Sequence, residues 1–274
     1  MNVKVFLAAI IFASSFVFTS CDDDDDDDIA RPEVLLHELG IGNSKVGYVG
    51  KDLHIEADVK AVGKFDYAIV KILSKDKNST IADSTFKNTE YKGKINPTFH
   101  RHLDIPEDVD PGDYVFQLTV FDEAGQQTTI EENLKIEIIN DNEKPVISIT
   151  SSPENKEYAT GAEITISGTV TDDQSLKGLY IGLVRNNQNL GDEEVGHSNT
   201  ISLLHTHHFE DSKSHDFNAT IKVGASEDND MDPKPIEGGI AWQSGDYYIV
   251  VKAKDAADNW AFSDHYPVTV KLSE

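Results

Sequence analysis

Two short stretches carry the side chains best suited to chemistry. Asp52-Leu53-His54-Ile55-Glu56-Ala57-Asp58-Val59 alternates polar and apolar residues. Phe99-His100-Arg101-His102-Leu103-Asp104-Ile105 places two histidines two residues apart. Period-two alternation marks a half-buried strand. With Leu53, Ile55, Ala57 and Val59 facing a core, Asp52, His54, Glu56 and Asp58 face outward. Phe99, Leu103 and Ile105 set the core phase of the second stretch, so His100, His102 and Asp104 share its outer face. Histidines at i and i+2 lie ~7 Å apart along a strand, and a neighbouring strand runs ~4.8 Å away. One ion can therefore take both imidazoles and a third ligand from next door. Imidazole with carboxylate suits Zn(II), Cu(II) or Ni(II) rather than Ca(II). His54, Glu56, His100 and His102 are the candidate metal ligands, and His37 is a further histidine of ambiguous phase. A wet polar sheet face that binds nothing fits the same pattern.

A second histidine group lies downstream. Leu204-His205-Thr206-His207-His208-Phe209 is dense in imidazole, with His197 and His215 nearby. It reads equally as a second metal site, carried by His205, His207 and His208, and as a polar loop. Asp228-Asn229-Asp230-Met231-Asp232 resembles the start of an EF-hand loop, but Pro233 stands where Gly is required and Gly239 where Glu is required. It is read as an acidic loop.

The elements that must position these residues are short strands broken by Gly, Pro, Asn and Asp. No long stretch has helical periodicity. The pattern occurs twice. Gly50-Lys51-Asp52-Leu53-His54-Ile55 matches Gly161-Ala162-Glu163-Ile164-Thr165-Ile166, and Pro111-Gly112-Asp113-Tyr114 matches Ser244-Gly245-Asp246-Tyr247. Asp122-Glu123-Ala124-Gly125 and Asp255-Ala256-Ala257-Asp258 close the strands that follow. About seven strands per unit predict two tandem immunoglobulin-like β-sandwiches, an all-β protein. One larger two-sheet domain and a different Greek-key order are the alternatives. In the immunoglobulin-like order the two histidine strands are the second and fifth, antiparallel neighbours in one sheet. The site is not copied: His54 aligns with Thr165, and by strand phase His100 and His102 fall near Asp216 and Asn218. Residues 191–209 and 223–244 are long segments peculiar to the second unit, of the kind that is functional or disordered. Trp242 and Trp260 flank its penultimate strand and are read as core residues.

The N-terminus reads as a targeting segment. Lys4 precedes an apolar run that ends before Cys21, the chain's one cysteine. The run is too short and serine-broken to span a membrane. Phe18-Thr19-Ser20-Cys21 resembles a bacterial lipobox with Phe in place of the usual Leu. The resemblance implies cleavage before Cys21 and diacylation of its thiol, anchoring the chain in a lipid bilayer at about 0.8 kcal/mol per buried methylene. An ordinary free thiol is the alternative. Seven aspartates follow, residues 22–28. Such a run repels itself and stays extended. It resembles the export signal of Bacteroidetes-type surface lipoproteins, which implies the outer face of the outer membrane; a plain solvated tether is the other reading. The domain layout is therefore a signal peptide over 1–20, lipidated cysteine and tether over 21–31, a first sandwich over 32–139, a linker over 140–144 and a second sandwich over 145–274.

Composition narrows the function classes. Lys and Arg number 24 against 49 Asp and Glu, a formal charge of −25. That surface repels nucleic acid and anionic lipid. One cysteine excludes an intrachain disulfide and any Cys-based zinc finger. The sequence holds no G-x-S-x-G elbow, H-E-x-x-H, P-loop or Rossmann fingerprint, and a non-enzyme is expected.

Gly42-Asn43-Ser44-Lys45, Gly50 to Ala57, Phe99 to Pro106 and Pro111-Gly112-Asp113-Tyr114 carry a further likeness. Over about 32–138 the first unit resembles a family of His-bearing domains of unknown function found in Bacteroidetes-type lipoproteins; the second unit looks like a diverged copy. The resemblance implies a β-sandwich lipoprotein and brings no activity with it. The expected function is capture, buffering or handover of zinc or copper to an outer-membrane uptake protein or surface complex. An adhesion, glycan-binding or surface-assembly module without metal is the alternative.

Overall fold

The computed structural model describes residues 29–87, 90–153 and 157–273. The segment read as a signal peptide, Cys21 and the polyaspartate run lie outside them. The described chain is all-β, with three single-turn 3-10 segments as its only helical pieces.

The first domain contains β1 (Glu33–Leu39), β2 (Val46–Tyr48), β3 (Asp52–Lys60), β4 (Phe65–Ser74), β5 (Thr80–Phe86), β6 (Thr98–Asp104), β7 (Gly112–Asp122) and β8 (Gln127–Glu137). They form a three-stranded sheet, β1-β3-β6, packed on a five-stranded one, β2-β8-β7-β4-β5. The second domain contains β9 (Val146–Ser151), β10 (Glu157–Ala159), β11 (Glu163–Thr171), β12 (Leu176–Arg185), β13 (Ile201–Thr206), β14 (Ser214–Lys222), β15 (Gly245–Asp255), β16 (Trp260–Phe262) and β17 (Tyr266–Lys271). Its sheets are β14-β11-β9 and β10-β17-β15-β12-β13, with β16 on β15. Both domains therefore share one strand order, including a parallel pair, β2 with β8 and β10 with β17. Neither a single larger domain nor a different strand order describes this arrangement.

The first strand of each sandwich is split between the two sheets. In the first domain the crossing is made at Gly40, whose φ is +73°. A Cβ there would stand 2.4 Å from the Val46 carbonyl oxygen, so only glycine makes the turn without displacement. The split explains why the second histidine strand is the sixth by count. It still pairs antiparallel with β3, as an immunoglobulin-like order requires.

Alternating apolar residues fill each sandwich. Leu53, Ile55, Ala57 and Phe99 face Val70, Phe116, Leu118 and Ile136 in the first, all at most 1% exposed. Burying each large side chain contributes about 1.5–3 kcal/mol. Ile164, Ile166, Leu179, Ile181, Tyr247 and Ile249 repeat this in the second. A tyrosine near the start of β7 and of β15 ties back to backbone four residues upstream. Tyr114 Oη donates to Asp110 O at 2.5 Å, and Tyr247 Oη donates to Gln243 O at 3.0 Å.

The two long segments of the second unit are structured. Part of the first is β13, which edges the larger sheet. The rest lays Val195, beside Leu190 just before the segment, over the outer face of β12 and β15, burying Tyr180, Val184 and Val250. That second covered face explains why Leu179-Tyr180-Ile181-Gly182-Leu183-Val184 is continuously apolar instead of alternating. The second segment, residues 223–244, packs Ile236 and Trp242 against the core. Trp242 donates its indole N–H to Ala225 O at 3.0 Å. Trp260 departs from the expectation of a core residue: it is 38% exposed on the short β16.

Candidate metal centre

The β3–β6 register sets His54 opposite His102 and Glu56 opposite His100. Ring centroids are 4.9 Å apart for His54 and His100, 5.1 Å for His54 and His102, and 5.8 Å for His100 and His102. One ring nitrogen from each lies within 4.8 Å of the other two. Glu56 falls in a different group, with Glu38 and His54. His37 points elsewhere and pairs with Asp58 at 2.8 Å. It sits where the β1–β3 register slips between Leu36 and Glu38. Such a bulge places two successive side chains on one side, which carries Glu38 onto the histidine face. Glu38 is 6% exposed there, accepts from the Gly42 amide at 2.8 Å and lies 3.4 Å from His54 Nδ1.

The face is only partly open to solvent, with His102 exposed and His54 covered. His54 is 6% exposed, because the turn after β13 covers it. The His207 ring stands 6.0 Å from His54, 6.0 Å from His100 and 5.9 Å from His102. His208 reaches Glu38 through Nδ1 at 2.8 Å and Glu56 through Nε2 at 3.3 Å. His205 stacks edge-on against His207 at 4.7 Å, and His197 lies on His205 at 5.9 Å. The two histidine groups that look separate in the chain form one file of imidazoles across the domain boundary. His215 stays outside it, against Phe209. The acidic stretch joins the far end: Asp230 Oδ1 lies 3.2 Å from His205 Nδ1, and His197, His205 and Asp230 form a further group with ligand-like spacing. An open groove of about 600 Å³, lined in part by Glu56, Tyr91, His100, His208 and Asp232, borders the cluster.

A lysine clamp flanks the site. Lys177, on β12 and 8% exposed, binds Asp52 of the first domain and Asp258 of the second, the latter at 2.9 Å. Lys51 meets Asp258 at 3.0 Å from the other side. Asp52 in turn lies 2.5 Å from His102 Nδ1. Burial pushes the Asp52 carboxyl up, but His102 and Lys177 outweigh it and hold it well below the usual carboxylate range. Burial likewise works against an ionised Glu38. His54, His208 and the Gly42 amide outweigh it, leaving the carboxyl below its ordinary value.

Burial acts on the imidazoles in the opposite sense. It pushes His100 down to about 4, helped by the neighbouring His54, His102, His208 and Arg101. It pushes His207 down to about 3, helped by His205, His102, His54 and His100. Desolvation disfavours the charged ring, and like charges disfavour it further. Both rings are therefore neutral at pH 7, the state in which imidazole binds a metal. The Nε2 atoms of His54 and His100 are buried with no hydrogen-bond partner among the described residues. Meanwhile His54 and His102 each present Nδ1 to a carboxylate, Glu38 and Asp52. A carboxylate behind Nδ1 is the usual support of a metal-ligating histidine that binds through Nε2.

The second unit lacks this site, for a reason one step different from the strand-phase expectation. Thr165, the counterpart of His54, pairs with Thr220, and Ser167 pairs with Asn218. Thr220 and Asn218 thus take the places of His102 and His100, and Asp216 lies one pair further along. Glu38, His207 and Lys177 escaped the sequence reading as parts of the first site. The bulge and the docking of the two domains, which bring them there, leave no periodic trace.

No curated protein matches the chain. Among solved structures, fibronectin(III)-like modules of CbhA from Clostridium thermocellum are 14% identical, covering 88% of this chain and 95% of that one at a TM-score of 0.33. The chicken CNTN1 FN1-FN3 domains are 14% identical over 88% of this chain and 66% of that one, TM-score 0.34. The Ig1-2 module of the Drosophila receptor protein tyrosine phosphatase DLAR is 11% identical over 89% and 100%, TM-score 0.32. Residues 19–139 match the family described as Domain of unknown function (DUF4625). The match covers the first sandwich, and the remainder of the described chain folds as a second β-sandwich of the same strand order.

Proposed function

We propose that this protein is a non-enzymatic, lipid-anchored binder of a transition-metal ion, zinc or copper, held at the boundary of its two domains. His54, His100 and His102 supply the core ligands and His207 closes the site from the second domain. The observation that carries this reading is the pair of buried, unpartnered Nε2 atoms on His54 and His100. A ligand set of imidazoles backed by carboxylates suits Zn(II) or Cu(II). Zn–N bonds of ~2.0–2.1 Å put tetrahedral ligand atoms about 3.3 Å apart, so side-chain torsion closes the rings onto the ion. Anchoring through acylated Cys21 places the protein on the outer membrane. The polyaspartate run supports display on the cell surface, where an uptake protein or surface complex would receive the metal.

Calorimetric titration of the leaderless protein with zinc and with copper tests this. Binding tighter than about 100 μM, lost in the His54/His100/His102 triple alanine variant, is expected. No binding, or equal binding by the variant, refutes the site. Protection of the protein from protease on intact cells would refute surface display.

The adhesion or glycan-binding reading has one observation in its favour, the exposed Trp260 beside Phe262 at 6.2 Å. Lys252 and Lys254 already lie over that indole at 4.7 Å and 5.2 Å. A stacked sugar would have to displace them.

A further inference from the structure

A second cluster, chemically distinct from the histidines, lies where the interdomain segment meets the second sandwich. Asp141 comes from that segment, Asp172 from the turn after β11 and Asp255 from the end of β15. They are 9%, 8% and 0% exposed, and one carboxylate oxygen of each lies within 4.8 Å of the other two. Proximity of acids alone shows little. Here, however, the Oδ2 atoms of Asp141 and Asp172 are buried and have no hydrogen-bond partner among the described residues. Their Oδ1 atoms are fully engaged: Asp141 accepts from the Glu143 amide at 3.0 Å, and Asp172 accepts from the amides of Gln174 at 2.9 Å and Ser175 at 2.6 Å. These bonds fix both carboxylates with one oxygen turned inward and unsatisfied.

One group bridges the cluster. Asn259 Nδ2 donates to Asp255 Oδ2 at 2.7 Å and to the carbonyls of Asp141 and Glu143, each at 3.1 Å. Asp255 Oδ1 accepts from the Asn259 amide at 2.8 Å. Three oxygens therefore converge on one neutral amide, beside two more unpaired carboxylate oxygens. Lys213 and Lys177 are committed elsewhere: Lys213 donates to the Asp173 carbonyl at 2.8 Å, and Lys177 to Asp52 and Asp258.

The first domain supplies an internal comparison. Asp122 is the repeat counterpart of Asp255 and is also buried with an unpaired Oδ2. The position matching Asp172, counted from the shared Gly50 and Gly161, is Ala61, which is fully buried. The sandwich does not require a carboxylate there. The second domain has added one, opposite another carried in by the interdomain segment.

The geometry points to a calcium site formed by Asp141, Asp172 and Asp255, completed by the carbonyls of Asp141 and Glu143. An all-oxygen, carboxylate-rich, dehydrated set of this kind suits Ca(II), which takes six to eight oxygens in flexible geometry; Mg(II) retains water and demands a regular octahedron. It does not suit the softer ions expected at the imidazoles. The Asn259 amide can offer its oxygen by a half-turn, since its two ends are assigned from their hydrogen-bond partners. Because Asp141 precedes β9 and the other two ligands lie within the second sandwich, the ion would staple the interdomain segment to that domain. Gln174 Nε2, donating to Asn140 O at 3.0 Å, already holds the same segment. The ion would thereby fix the docking that aligns His207 with the first domain.

Thermal unfolding and calorimetry of the leaderless, chelator-treated protein test this with calcium chloride and magnesium chloride alone. Calcium at 2 mM is expected to raise the unfolding midpoint by roughly 5 °C or more, as for a ligand at about 100 times its dissociation constant. Magnesium is expected to do markedly less. Asp172→Ala, which restores the residue of the first domain, and Asp141→Asn should each weaken calcium binding at least tenfold. Absence of a calcium-dependent shift or heat in the wild type overturns the site. So does an undiminished shift in both variants, and equal shifts with both ions overturn the assignment to calcium. The histidines are intact in every variant, so failure here and failure of zinc binding are distinguishable.

Discussion

Acidification should destabilise the metal-free protein through two particular imidazoles. His100 and His207 titrate at about 4 and about 3 in the folded chain, against 6.5 when exposed. Between those values the unfolded chain binds more protons, so stability falls as pH falls. The loss begins near pH 6.5 and saturates only below the folded values. From pH 7 to pH 5 each group contributes about 2 kcal/mol, because at pH 5 the unfolded ring is about 97% protonated and the folded ring hardly at all. The pair therefore costs about 4 kcal/mol, a large share of the roughly 5–15 kcal/mol that holds a domain together. The titratable groups acting on these rings are His54, His102, His205, His208 and Arg101, and Glu56 stands opposite His100 in the strand pair. Protonation of the neighbouring histidines makes the two rings harder to charge, which reinforces the effect. Opposing it is the buried Asp172, whose carboxyl burial pushes up, along with Asp141 and Asp255; its stabilising protonation also comes with acid. Comparison with the His100→Gln/His207→Gln variant isolates the imidazoles, since those carboxylates are unchanged. Urea unfolding in chelator at pH 7, 6 and 5 reads the difference. Small-angle scattering at each pH separates unfolding from mere parting of the domains. The wild type should lose about 4 kcal/mol more than the variant. Equal losses, within 1 kcal/mol, would refute the reasoning.

Further outcomes follow from other contacts. His207→Ala should weaken zinc binding at least tenfold while leaving the fold of both sandwiches unchanged by circular dichroism, because the ring reaches the site only across the boundary. Lys177→Met leaves Asp52 and Asp258 without their shared cation; a loss of about 1–3 kcal/mol in denaturant is expected, reduced from the fully buried case because both carboxylates keep some exposure. Tyr247→Phe removes a buried hydroxyl that donates to Gln243 O and accepts from Gln243 N, and should cost about 1–3 kcal/mol in the same assay. Phe99→Ala, at a fully buried position between the sheets of the first domain, should cost about 3–5 kcal/mol.

Much of the fold can be read from local order alone. Alternation in Asp52–Val59 and Phe99–Ile105 depends only on the two-residue period of a strand, so it fixed the core phase of both and the shared side of His54, His100 and His102. The repeat of Gly50–Ile55 in Gly161–Ile166 likewise announces two copies of one sandwich, as does the matching tyrosine near the start of β7 and of β15. What alternation cannot report is what lies against the other face. Of the imidazoles that the strand reading left exposed, His54 is buried and His100 half-buried, while His102 stays exposed beside the docked second domain. That docking depends on contacts between residues more than a hundred positions apart, such as Asp52 with Lys177 and Glu38 with His208. The bulge at His37 shifts the phase of β1 by one residue and brings in Glu38, a change that carries no periodic signal. The carboxylates of Asp141, Asp172 and Asp255 sit on three separate segments. Residue types and spacing determined which side chains were available; only the packing of one domain against the other decided which of them meet.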